Sequence, residues 1–182
     1  MYDLVIQNAR ICDGTGKPSF IGTLCVTDGQ ITYLGRETGL SAQRTIDADG
    51  LVLAPGFIDP HTHYDAQIAW DPLLTSSPWH GVTTVVMGNC GVGVAPVKPE
   101  TRDILMHDLV NVEAIPYDVM QAGIDWRWES YGEYLDTIDR GGLGINVAGL
   151  VAFTPLRHYV MGEASFERPA TPEEIVTMRR LL

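Results

Sequence analysis

The chain has 182 residues, 45% of them apolar, which is enough to bury a sizeable core. Twelve Lys and Arg against 23 Asp and Glu give a formal net charge of −11, a balance that repels nucleic acid and anionic membrane surfaces. Three cysteines without framework spacing argue against a disulfide-stapled domain; the N-terminus has no basic leader and no run of about 18 apolar residues occurs, so a cytoplasmic protein is expected.

Residues 1–54 read as short strands: YDLVIQNARI, GTLCVTDGQITYLG and a third run leading into LVLAP. Asp28-Gly29 between alternating segments predicts a tight hairpin, because glycine tolerates the positive φ of a primed turn. We expect a small antiparallel β-sandwich module here. From residue 55 the texture changes to apolar strands alternating with helical stretches: FIDPH, VTTVVMG, a helix from about Glu100, ESYGEYLDTIDRGG and GINVAGLVA. Such alternation predicts an α/β fold with a parallel sheet over residues 55–182, open or closed into a barrel. In TPEEIVTMRRLL, Thr171 is the expected N-cap, Pro172 follows it, and Glu174 completes a capping box. The helical period continues to Leu182, and three barrel strands fall well short of the roughly 250 residues of a complete (β/α)₈ barrel. The expectation is a truncated chain.

Two histidines, His61 and His63, stand two apart where the apolar run LVLAPGFID ends. Alternate residues of a strand share a face, so both imidazoles project together, a natural start for a divalent metal site. H-x-H also arises by chance; its place at a strand end, where α/β folds bind ligands, favours the metal. Asp59 and Asp65 flank the pair, and each is read either as orienting an imidazole or as a plain turn or cap residue. Cys90 follows the strand VTTVVM among Gly88, Gly91 and Gly93, either as a thiolate ligand or as a small buried hydrophobe. Cys12 and Cys25 are read as structural, His80 as a helix C-terminal residue before Gly81, His107 and His158 as without a role, and the aromatics of 126–134 as core. Neither a dinucleotide fingerprint nor a P-loop lysine motif occurs.

PGFIDPHTHYD followed by GVTTVVMGNCGVGVAP, with WRWESYGEYLD at 126–136, resembles the amidohydrolase superfamily and within it the N-acyl-D-amino-acid deacylase (D-aminoacylase) family. The resemblance implies a β-sandwich, of which residues 1–54 form the N-terminal part, and a metal-dependent TIM-like barrel, of which 55–182 form the first strands and helices. It implies Zn²⁺ as cofactor, with His61, His63 and Cys90 as metal ligands. Further ligands and the acid/base Asp lie beyond Leu182, so no catalytic residue falls within this chain. Where the family often has Gly-His-Ser/Gly-Thr-Leu-Arg, this chain has Ala152-Phe153-Thr154-Pro155-Leu156-Arg157, so a histidine is replaced by Phe153 and Arg157 is kept as a partner for a substrate carboxylate.

The expected function is hydrolysis of a small non-peptide amide, an N-acyl-D-amino acid, by metal-activated water, with residues 1–182 inactive alone. Neither nucleic acid nor membrane is an expected partner, and the unpaired edges of an unclosed sheet favour self-association. Two alternatives stand beside it: a cyclic-amide hydrolase of hydantoinase or dihydroorotase type, whose relatives use a carbamylated lysine where this chain offers only Lys17 and Lys98, and a non-catalytic metal-binding or assembly module.

Overall fold

A computed structural model describes residues 1–182, which divide into two units, Met1–Pro55 and Gly56–Leu182. In the first, β1 (Tyr2–Ile11), β2 (Phe20–Thr27), β3 (Gln30–Gly35), β4 (Ala42–Asp47) and β5 (Val52–Leu53) form one sheet. Asp28 and Gly29 join β2 to β3 with φ of 50° and 72°, the positive pair that a primed hairpin turn requires.

The expectation of purely antiparallel strands is corrected: β4 and β5 both run parallel to β1, so the sheet of this unit is mixed. After β3 the chain does not turn back on itself. It passes through residues 36–41 and pairs β4 with the far edge of β1. Asn8, at φ 56°, interrupts β1, so Tyr2–Gln7 pair with β4 and Arg10–Ile11 with β5. The Asn8 side-chain amide donates to the Asp47 carboxylate at 2.9 Å and ties that break to β4. Cys25 is buried in this sheet, in keeping with a structural thiol.

In the second unit β6 (Phe57–Thr62), β7 (Val82–Met87) and β8 (Asn146–Gly149) form a parallel sheet with β7 central. The first crossover holds only two single-turn 3₁₀ segments, Gln67–Ala69 and Pro78–His80, the latter closed by Gly81 at φ 83°. The second holds α1 (Arg102–Glu113), α2 (Tyr117–Gly123) and α3 (Tyr131–Arg140); after β8 come α4 (Phe153–Met161), α5 (Ala164–Glu167) and α6 (Pro172–Leu181). Sequence reasoning missed α4 and α5, whereas α1 and α2 occupy the helical region expected from about Glu100. Pro155 lies in the first turn of α4, where proline is tolerated because its missing N–H has no partner to lose.

The core of this unit packs Val85 and Met87 of β7 against Leu105 and Leu109 of α1, and against Trp128, Tyr134 and Ile138. Tyr134 and Ile138 share the apolar face of α3, whose start is held by reciprocal bonds between Ser130 and Glu133. The Trp128 indole N–H donates to the Val94 carbonyl at 2.9 Å and its ring meets Tyr134 edge-on at 5.1 Å, so the aromatics are core, as the sequence indicates. No helix is long and apolar enough to cross a membrane.

Candidate metal centre

The carboxyl ends of β6 and β7 meet at one rim of the parallel sheet, and the candidate ligands stand there. His61 is on β6 and His63 just beyond it; their rings stack with centroids 5.2 Å apart, 15° from parallel. The two Nε2 atoms face each other at 3.2 Å. Cys90 is on the turn after β7, its Sγ 4.0 Å from His63 Nδ1, and one donor atom from each of the three residues lies within 4.8 Å of the others.

The turn itself is built for this placement. Gly88 (φ 78°) and Gly91 (φ 88°) take the left-handed backbone, and the Gly91 amide donates to the Gly88 carbonyl at 3.0 Å. A Cβ on Gly88 would lie 2.1 Å from the Leu150 carbonyl oxygen, so the strand end and the turn pack too closely for a side chain. Asn89 donates to the Pro60 carbonyl at 3.0 Å and Thr62 to the Val86 carbonyl at 2.9 Å, lashing the turn and β7 to β6. Cys90 is thereby left exposed beside the histidines rather than buried as a hydrophobe.

The donor set fits a divalent, borderline-soft cation. Two imidazole nitrogens bound to one zinc at about 2.0–2.1 Å and a tetrahedral angle stand roughly 3.3 Å apart, which is close to the 3.2 Å between these Nε2 atoms. Thiolate with imidazole suits zinc better than magnesium or calcium. The cleft in front of the pair is lined also by Tyr64, Gln67, Ser77 and Glu113. A larger groove of about 610 Å³ runs along Thr83, Asp139 and residues 143–147, at the amino ends of β7 and β8. It gathers no comparable ligand set, and in parallel sheets the carboxyl ends host chemistry.

Other expected site residues take different places. Asp59 accepts the backbone N–H of His61 at 3.2 Å, the plain turn role, and orients no ring. Asp65 lies buried under the turn without a hydrogen bond to either imidazole; burial pushes its carboxyl up to about 7, the nearby Glu113 carboxylate acts in the same sense, and the backbone N–H groups of Asp65 and Gly88 act against it. Arg157 is corrected: its guanidinium donates to the Ser165 and Arg168 carbonyls at 2.6–3.1 Å, so it holds the α4–α5 corner. Phe153 starts α4 beside Gly91, exposed and next to the Cys90 turn.

Two groups escaped sequence reasoning. Glu113, at the end of α1, sets Oε1 against His63 Nδ1. His158, buried, bridges Asp108 Oδ2 at 3.0 Å and Ser165 Oγ at 2.5 Å, joining α1, α4 and α5. Both pairings span some fifty residues, and no local pattern announces them.

The model of the amidohydrolase family matches residues 44–182. The chain is similar to the D-aminoacylase of Alcaligenes xylosoxydans xylosoxydans, 36% identical over 99% of this chain and 34% of the relative. Among solved structures it is similar to the N-acyl-D-glutamate deacylase of Bordetella bronchiseptica complexed with zinc and a phosphonate mimic of the tetrahedral intermediate. That match has a TM-score of 0.80 at 32% identity, over 100% of this chain and 35% of the other. A D-aminoacylase described as having a binuclear metal centre matches equally, with TM-score 0.80, 32% identity and the same coverage. The chain thus spans about a third of the length of these relatives.

Proposed function

The chain belongs to the amidohydrolase family, and from that premise we propose that residues 1–182 contribute the first metal ligands of a zinc-dependent hydrolase that deacylates N-acyl-D-amino acids. The observation that carries the reading is the convergence of His61, His63 and Cys90 at the carboxyl ends of two neighbouring parallel strands. Residues 1–54 form part of a small β domain and 55–182 the opening strands and helices of a barrel completed by further chain.

A zinc ion held by His61, His63 and Cys90 would supply Lewis acidity to polarise an amide carbonyl and acidify water. The chain's own residues do the rest of what is assigned to this segment. His61 and His63 present paired imidazole lone pairs, and the turn from Gly88 to Gly91 keeps the Cys90 thiol raised beside them. Phe153 borders the turn and offers an apolar wall to an acyl or side-chain group. Asp65 is too enclosed to meet substrate, and no acid/base group is assigned within residues 1–182.

A cyclic-amide hydrolase of the lysine-ligated kind fits less well. Lys98 stands over the Tyr159 ring at 4.8 Å and is not among the residues lining the cleft. The deciding assay loads a chain of the relatives' length with zinc and follows release of free amino acid from N-acetyl-D- and N-acetyl-L-amino acids. Preferential release from the D series supports the proposal. Opening of hydantoin or dihydroorotate without deacylation overturns the substrate assignment, and zinc binding with no turnover of any amide leaves a metal-binding module.

A further inference from the structure

We infer that Glu113 is a positioning residue that holds the His63 ring in the tautomer whose Nε2 lone pair faces the metal. The inference rests on the metal reading of the cluster. A neutral imidazole carries one N–H, and the nitrogen that binds a cation must be the bare one. His63 Nε2 faces His61 Nε2 across 3.2 Å, so its proton belongs on Nδ1, where it needs an acceptor. Glu113 Oε1 is the carboxylate at that nitrogen. Of the flanking acids, Asp59 is occupied by the His61 amide and Asp65 forms no hydrogen bond to a ring.

The placement of Glu113 is otherwise unfavourable. It is the last residue of α1, where the helix's partial negative charge repels a carboxylate, and that last turn carries no basic residue. Ala114 then leaves the helix at φ 54°. Leu105 and Leu109 bury one face of α1, and Asp108 is held by His158, so the helix end is aimed by contacts on two sides. Glu113 and His63 are each about three-quarters buried, with side-chain exposures of 23% and 25%, so their bond is only partly screened by water. A carboxylate that raises the basicity of a ligating imidazole and fixes its ring is a recurrent partner of bound zinc.

The test measures two things on the wild type, Glu113→Ala and Glu113→Gln. The first is the His63 ring tautomer by nitrogen-15 NMR of the metal-free protein; the second is zinc affinity by competition with a chelator. The expected result is an Nδ1–H tautomer in the wild type that is lost in Glu113→Ala, with a fall in zinc affinity of about 10–100-fold. Glu113→Gln keeps an acceptor oxygen, so it should retain the tautomer and lose about tenfold in affinity. An unchanged tautomer and unchanged affinity in Glu113→Ala overturns the inference; should that variant not fold, unchanged affinity in Glu113→Gln does so. A wild type that binds no zinc, with a tautomer that still follows residue 113, instead overturns the metal reading and leaves the Glu113 contact standing.

Discussion

The hydroxyl of Tyr134 donates to the backbone carbonyl of Asp65 at 3.0 Å, so the middle of α3 is fastened to the residue two beyond His63. Tyr134 is 1% exposed, and its removal cannot be made good by water. Tyr134→Phe leaves that carbonyl without its donor and should cost about 1–3 kcal/mol. Urea unfolding should show a lower midpoint at unchanged slope. An unmoved midpoint would mean that the bond contributes nothing.

Gly88 and Gly29 share a left-handed backbone but differ in room. A Cβ at Gly29 meets nothing within 4 Å, whereas one at Gly88 meets the Leu150 carbonyl at 2.1 Å. Gly29→Ala should therefore cost only the strain of its backbone, about 1–2 kcal/mol. Gly88→Ala adds a clash with main chain and should lower the melting temperature distinctly more. Equal losses in the two variants would refute the close packing of strand end and turn.

Cys90 is exposed, so Cys90→Ser should leave the metal-free protein within about 0.5 kcal/mol of wild type. Zinc that binds only the folded state raises its stability by mass action. Added zinc should thus raise the melting temperature of the wild type, and much less that of Cys90→Ser or His61→Ala. An equal zinc-induced rise in all three proteins would remove these residues from the ligand set.

Asp65 supplies a pH dependence whose sign follows from burial. Its carboxyl is pushed from 3.8 up to about 7 in the folded chain. Between those values the folded state keeps a proton that the unfolded chain has lost, so stability declines as pH rises from about 4 to about 7 and levels off above. Asp65→Asn should flatten that decline in chelator-treated protein. A slope identical to wild type would show that other groups set it.

What could be read from the sequence was local. His61 and His63 were legible because strand alternation and the end of an apolar run are near-neighbour properties, and Cys90 because glycines bracket it. The hairpin at Asp28-Gly29 and the cap at Thr171 were legible for the same reason. Pairings set by tertiary structure were not. Nothing near Glu113 points to His63, and nothing near Arg157 shows that the Ser165 and Arg168 carbonyls will claim its guanidinium. The parallel placement of β4 and β5 failed likewise, since strand content does not say which edge of β1 a returning chain will choose.

The two crossovers of the parallel sheet also imply an order of assembly. β6 and β7, at whose carboxyl ends the three donors stand, are joined by a segment with only single-turn helices, whereas β8 follows α1, α2 and α3 in the chain. Contacts that close shorter loops form sooner. The donors are therefore expected to come within reach of one another before Glu113 and Tyr134, both on the longer crossover, are in place to hold them. A cation that this cluster binds would then meet a half-made cradle during synthesis, and its capture would be a step of folding rather than a sequel to it.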